Sequence, residues 1–385
     1  MQDRRRAIPT TNPATRRARG SGAATVAIAG LLGAAWAGAA LQGGARYDRT
    51  TGVSPKAAVT AEAAAPAGPT WDLPNLDHER VDYWVGRFTT DKRDEFSRFL
   101  ARSGRYVPMI SEKLAERDMP QDLIYLAMIE SGFNPQAYSP AKASGLWQFI
   151  AETGQRYGLK IDAHVDERND PVKSTDAALD YLTYLHDRLG SWYLAAAGYN
   201  TGENRVARIM REETGSEKGD EYSYYKIWDR LPRETRDYVP LMIAAARISK
   251  EPAKYGFGDV ELEAPLAYDE VPVDAGTPLA AVAEAVGATA KEIARLNPHL
   301  KRGSTPAKGR ALVRIPEGTR TAFLVNWPEV REKRTLAATE YRVRRGESLL
   351  AIAKQHGVSV NAIRAENQLR GDRILAGETL RIPAR

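Results

Sequence analysis

The chain has 385 residues, 43% of them hydrophobic, which is enough to bury a sizeable core and to divide into two or three domains. It holds no cysteine, so disulfides, thiolate metal sites and a cysteine nucleophile are all excluded. The net charge of +6 invites a nucleic-acid partner, but the first 39 residues carry six Arg against one Asp, leaving only about +1 for everything after them and little argument for a polynucleotide.

At the N-terminus Arg4, Arg5, Arg6, Arg16, Arg17 and Arg19 precede an uncharged Ala/Gly/Leu run over 20–45, with Ala37-Gly38-Ala39 as a small-residue cleavage point. Residues 1–45 are therefore expected to be an export signal, either cleaved or kept as a membrane anchor. The Ala, Pro, Thr and Val of 46–74 lack periodicity and predict a flexible linker. Helical spacing starts near Leu76 and continues through Val81, Trp84, Val85 and Phe88, then through Phe96, Phe99, Tyr106, Ile110 and Leu114.

The informative stretch is 120–149. Leu123, Leu126, Ala127 and Glu130 fall at i, i+3, i+4 and i+7, so an apolar stripe ends on a carboxylate. Ile124, Met128 and Ile129 cover the other faces, as in a buried helix, and Gly132 and Pro135 stop it just after the glutamate. Burial disfavours the charged carboxylate and raises its pKa, which suits a general acid near neutral pH. The run Ser144-Gly145-Leu146-Trp147-Gln148-Phe149 follows, with Trp147 read as core.

Between Tyr157 and Asp170 turn-prone residues predict a loop; Asp166, Glu167, Asn169 and Asp170 lack the spacing and central Gly of a calcium loop, and the five His show no paired metal spacing, so no metal and no cofactor are expected. Helices are predicted from Pro171 to Leu189 and from Tyr193 to Gly198, the latter running into Tyr199-Asn200-Thr201-Gly202 as a polar turn. Another apolar helix covers Leu241 to Ile248.

The last third repeats itself. Val273, Gly276, Leu279, Val282, Ala283, Gly287, Ile293 and Asn297 recur as Val343, Gly346, Leu349, Ile352, Ala353, Gly357, Ile363 and Asn367. Each copy reads as strand, two short helices and strand. From Arg331 onward there are twelve Arg/Lys against six Asp/Glu, a basic tail suited to an anionic polymer.

Glu130-Ser131-Gly132-Phe133-Asn134-Pro135, Ala143-Ser144-Gly145-Leu146-Trp147-Gln148-Phe149 and Gly198-Tyr199-Asn200-Thr201-Gly202 together resemble, in order and spacing, the lytic murein transglycosylases, nearest to the membrane-bound D type with C-terminal LysM modules. The resemblance implies a mostly α, lysozyme-like catalytic domain over 75–255 within the α+β lysozyme superfamily. Two small βααβ LysM-like modules would follow, at 268–318 and 340–384, joined by a linker at 319–339. It implies an exported protein of the periplasm or cell envelope whose partner is the peptidoglycan glycan strand. Relatives often carry a lipid on an N-terminal cysteine, and with no cysteine here a lipoprotein is excluded. One departure from the pattern is Ala151-Glu152-Thr153, where relatives commonly have a proline.

Glycosidic cleavage usually takes two carboxylates, yet the motifs supply only Glu130, since Glu152 and Glu203 fall among polar residues. One acid suffices if the substrate brings the nucleophile. Muramic acid offers its acetamido carbonyl and its own 6-hydroxyl, so Glu130 would protonate the leaving oxygen and then accept the hydroxyl proton, giving a 1,6-anhydro end. A hydrolytic lysozyme and a non-catalytic wall-binding scaffold are the rival readings. Ser131, Ser144 and Gln148 are assigned to hydrogen bonds with substrate or Glu130, Gly145 to close approach of a sugar, and Tyr199 with Asn200 to the acetamido group. The family places a tyrosine in the cleft at Tyr238. In the second repeat Arg345, Gly346, Glu347, Ser348 and Leu349 are assigned to glycan binding. The first has Asp274-Ala275-Gly276-Thr277-Pro278 there and a longer basic excursion from Leu300 to Gly309, so it is expected to pack or space rather than bind.

Overall fold

A computed structural model describes residues 69–336 and 339–383; the expected signal and most of the expected linker lie outside the described residues. The first part is helical: α1 (Glu79–Thr89), α2 (Arg93–Ala115), α3 (Ile124–Ser131), α4 (Ala151–Arg156), α5 (Pro171–Leu189), α6 (Trp192–Thr201), α7 (Glu203–Thr214), α8 (Ser223–Lys226) and α9 (Arg233–Lys250). Helix α3 is the centre. All eight of its residues are buried, and it packs between α2 and α9. A helix without a polar face is stable only when enclosed, and here tertiary packing takes the place of an amphipathic stripe.

Two boundaries differ from expectation. Asp72 N and Leu73 N donate to Asp122 Oδ2 at 2.9 and 3.0 Å, and Leu73 is buried, so the end of the expected linker belongs to the helical body. Residues Tyr199 to Thr201 are not a turn but the last helical positions of α6, which ends only at Gly202. Their polar side chains are accommodated because other parts of the body supply hydrogen bonds.

The two repeats fold as expected, as β1 (Tyr268–Val273), α10 (Leu279–Val286), α11 (Ala290–Leu296) and β2 (Ala311–Pro316), then, after α12 (Arg320–Leu336), as β3 (Thr339–Arg342), α13 (Leu349–His356), α14 (Val360–Glu366) and β4 (Thr379–Ile382). Each strand pair is antiparallel, with Tyr268 opposite Pro316 and Thr339 opposite Ile382. The repeated asparagines have one job in both copies. Asn297 Nδ2 donates to Arg314 O at 2.7 Å while its Oδ1 accepts from Arg314 N at 2.9 Å; Asn367 makes the same pair of bonds with Arg381, both at 2.7 Å. An asparagine amide presents two N–H donors and an acceptor in one plane, and with the second N–H given to Ile293 O or Ile363 O at 2.8 Å it closes the final strand onto the second helix.

The expected linker at 319–339 is corrected: most of it is α12, whose Phe323 and Val330 enter the core of the first module with Trp327 packed on them. Among the described residues no helix is long and apolar enough to cross a membrane, and no group of three His, Asp or Glu could hold a metal ion. Asp166 and Asp170, both in the acidic loop, are paired with arginines instead.

Candidate active site

Glu130 is in the last turn of α3. The helix stops because Gly132 takes φ 58°, its N–H returning to Met128 O, and a Cβ there would lie 2.5 Å from the Phe99 ring. Only glycine meets both demands. The Glu130 side chain is buried, and Tyr238 from α9 donates its hydroxyl to Oε1 at 2.5 Å. Burial pushes the Glu130 carboxyl up to about 7, and the Tyr238 hydrogen bond pulls the other way. No charge contributes to that shift, and no cation lies within ion-pair distance of Glu130 among the described residues. The group can therefore hold a proton at neutral pH and still become a carboxylate stabilised by a phenol.

A hairpin-like double turn over 137–149, bridged at Tyr138–Ser144 and Ser144–Phe149, lies beside α3. Ser131 Oγ donates to Leu146 O at 2.8 Å, and Tyr199 Oη, from α6, donates to Trp147 O at 2.7 Å. Burial, with the nearby Glu130 second, raises the Tyr199 phenol well above its ordinary value, so it stays a neutral donor. Trp147 is core: its Nε1 donates to Thr175 Oγ1 at 2.9 Å. Gln148, at φ 48°, gives its amide hydrogens to Gly145 O at 2.8 Å and Ala137 O at 3.2 Å. Asn200 accepts from Thr235 Oγ1 at 2.8 Å, while its buried Nδ2 has no hydrogen-bond partner. Glu130, Ser131, Tyr199 and Tyr238 thus meet in one place, with Gln148 bracing the hairpin beside them.

Ser144 and Gly145 face a different neighbour. Ser144 Oγ donates to Asn169 Oδ1 at 2.6 Å, and a Cβ on Gly145, at φ 87°, would fall 1.7 Å from Arg168 O. The glycine is required here by the protein's own backbone. Arg168 carries no local sequence signal of a role here. Its guanidinium is held by Asp166 through Nε and Nη2 at 2.9 and 2.7 Å and donates from Nη1 to Lys142 O and Phe149 O at 2.8 and 3.0 Å. One side chain thereby ties the middle of the hairpin, at Lys142, to its end at Phe149. Thr235, which orients Asn200, was also missed. The available signal was its place three residues before Tyr238, one helical turn away on α9.

In the second module Glu347 and Ser348 are engaged locally. Glu347 accepts from Tyr341 Oη and Arg344 N, both at 2.8 Å, and Ser348 caps α13 through Ala351 N. Leu349 is core, Arg345 and Gly346 are open, and the neighbouring Leu350 is 71% exposed. The matching turn of the first module is covered. Gly276 N donates to Pro306 O at 2.8 Å and Leu279 N to Gly303 O at 2.8 Å, so the excursion folds over it. A Cβ on Gly276 would also lie 2.5 Å from Ala365 Cβ of α14, whereas one on Gly346 meets nothing within 4 Å.

Comparisons with known proteins agree with this layout. The family model of the Transglycosylase SLT domain matches residues 108–222, that of the Lytic transglycosylase MltD, LysM-like domain matches 267–331, and that of the LysM domain matches 341–383. The chain is 32% identical over 294 residues to the membrane-bound lytic murein transglycosylase D of Escherichia coli (strain K12), covering 74% of this chain and 64% of that protein. It is 31% identical over 170 residues to the membrane-bound lytic murein transglycosylase F 2 of Alkalilimnicola ehrlichii, covering 41% and 34%. Among solved structures it is similar to the 70 kDa soluble lytic transglycosylase of Escherichia coli, at 22% identity and a TM-score of 0.34, covering 46% of this chain and 29% of that one. The chain thus spans just under two thirds of the length of the D-type relative.

Proposed function

From membership of the SLT-domain lytic transglycosylases with C-terminal LysM modules, the family to which this chain belongs, we propose that it cleaves the β-1,4 bond between N-acetylmuramic acid and N-acetylglucosamine in peptidoglycan and leaves a 1,6-anhydro end. The observation that carries the reading is Glu130: a buried acid with a pKa near 7, a phenol on its carboxyl and no charged neighbour. Such an acid protonates the leaving oxygen while neutral. The resulting carboxylate, still hydrogen-bonded by Tyr238, accepts the proton of the muramic 6-hydroxyl as that oxygen attacks the anomeric carbon. The unpartnered Asn200 Nδ2 is suited to the carbonyl of the 2-acetamido group. Ser131 and Tyr199 place the hairpin against Glu130, and Gln148 and Ser144 keep its shape. Digestion of purified peptidoglycan sacculi tests the activity: the folded wild-type chain should release soluble muropeptides, and release of none would overturn the proposal.

The same reading puts the protein in the cell envelope, held to the wall by the second module. Support comes from the inequality of the two turns, one open at Arg345 and Gly346 and one closed over Gly276. Removing residues after 339 should lower retention on insoluble peptidoglycan while leaving turnover of short soluble fragments intact, because tethering acts through effective concentration. Unchanged retention in that pull-down would reassign the binding to the first module.

A further inference from the structure

The first LysM-like module is not tethered to the catalytic body but fastened to it. Val165 of the body pairs with Leu300 and enters the module's core. Asp166 N donates to His299 O, and Lys301 N to His164 O, both at 3.0 Å. At the middle of the junction lies Asp170, the N-cap of α5, whose Oδ1 accepts from Val172 N and Lys173 N at 3.0 and 3.1 Å. The same oxygen accepts from Arg314 Nη2, reaching across from β2 at 3.0 Å, and His299 Nδ1 stands 3.3 Å from the other. Arg314 is fixed in turn by Glu270 at 3.3 Å and by the Tyr268 ring beneath its guanidinium. Both side chains of the Asp170–Arg314 pair are at least nine-tenths buried.

A buried ion pair is weak evidence for stability, because desolvating the two charges offsets most of their attraction and an apolar contact of the same volume does as well. What it fixes is geometry, since a guanidinium and a carboxylate bond only in narrow relative positions. The position fixed here is that of 166–170, and the other side of this segment holds the cleft hairpin. Asn169 accepts from Ser144, Arg168 holds Lys142 O and Phe149 O, and Gly145 sits on Arg168 O. An unbroken chain of directional contacts therefore runs from Arg314 on β2 of the first module, through Asp170 and its loop, to the hairpin over 137–149.

We propose that Arg314 is a positioning residue for the glycan cleft: the first LysM-like module acts as part of the catalytic unit, setting the hairpin over 137–149 through the Asp170–Arg314 pair. The proposal rests on the transglycosylase reading for its substrate, but its structural half stands apart from that reading. On the transglycosylase reading the hairpin borders the sugar site and takes no part in the proton transfer, so loosening it should raise KM and leave kcat largely unchanged. Glu130, on a different element, should keep its pH dependence.

The test uses the full chain. Arg314→Met alone strands a buried carboxylate and risks misfolding, whereas the double variant Asp170→Asn with Arg314→Met removes both charges and keeps a good helix cap. For the folded double variant we expect KM for a soluble glycan fragment to rise about tenfold, below the hundredfold that misplacing a reacting group can cost. The alkaline limb of the pH profile should stay in place, and amide hydrogen exchange over 144–149 should quicken. Arg314→Lys should restore part of the KM. Wild-type KM within twofold together with unchanged exchange over 144–149 would overturn the proposal, and so would an unchanged KM despite faster exchange. If the wild-type chain turns over no glycan, the transglycosylase reading fails by itself, and the exchange measurement still decides whether the module holds the hairpin.

Discussion

Glu130 and Asp170 are two carboxylates buried in one body and put to opposite uses. Asp170 is surrounded by donors and cations. Burial pushes its carboxyl up, but Arg314, His299 and the backbone of α5 more than offset this and hold it below the ordinary aspartate value. It is a permanent anion, useful for holding things. Glu130 is also buried but is given no cation, only the Tyr238 hydroxyl, and burial pushes its pKa up to about 7. The contrast teaches that burial alone does not make an acid reactive; burial without a counter-charge does. A helix end carrying a glutamate is common, whereas one enclosed by apolar residues with a single phenol for company is what marks the candidate site.

Replacing Glu130 by Gln breaks this contrast most severely. The amide keeps the Tyr238 contact but can neither give nor take the proton, so turnover should fall by about 10²–10⁴ with the fold retained, as assays beside circular dichroism would establish. A variant keeping a tenth of wild-type turnover would remove Glu130 from the mechanism.

The next effect is on stability, and the two carboxylates should respond to pH with opposite signs. For Glu130 the folded pKa is raised from 4.5 to about 7, so its contribution is present below 4.5 and is lost as pH rises through about 7, amounting to roughly 3 kcal/mol at most. Glu130→Gln should therefore unfold at higher denaturant than the wild type above pH 7, with the difference closing toward pH 4. For Asp170 the folded pKa is lowered from 3.8, so its contribution is present above that value and lost as pH falls below it. Acid titration of Asp170→Asn beside the wild type should show the gap between them narrowing there. A Glu130→Gln gap independent of pH would mean the carboxyl is not held as described.

A smaller effect sharpens the role of Tyr238. Its hydrogen bond lowers the Glu130 pKa against burial, so Tyr238→Phe should move the alkaline limb of the pH–rate profile upward by about one unit, in line with the net strength of one hydrogen bond. A limb that moves down would place the phenol on the neutral acid instead.

How much of this was legible beforehand follows the range of each interaction. Glu130 was legible because its evidence is local: an apolar run on every face of a helix, a glycine and a proline to end it. The two βααβ repeats were legible because the same residues recur, down to Asn297 and Asn367, whose matching bonds to Arg314 and Arg381 explain the recurrence. Helix α12 was missed although Phe323, Trp327 and Val330 stand at i, i+4 and i+7; Pro328 inside the run and the charges from Glu329 to Arg334 resemble a linker. The segment Asp166 to Asp170 read only as a turn-prone loop because the cation that pairs with Asp170 lies 144 residues further along the chain. No spacing rule reaches that far. The Asp-Pro step at 170–171, an N-cap followed by proline in the first turn, was the one local sign that this loop is held at a defined point.

The central claim is that Glu130 works alone and the substrate supplies the nucleophile. Mass spectrometry of the muropeptides released from sacculi tests it most directly, because attack by the muramic 6-hydroxyl consumes no water. The new ends should be 1,6-anhydro sugars, each lighter by one water than the corresponding reducing end. Reducing ends as the main product would show that water attacks, and would make this site that of a hydrolase.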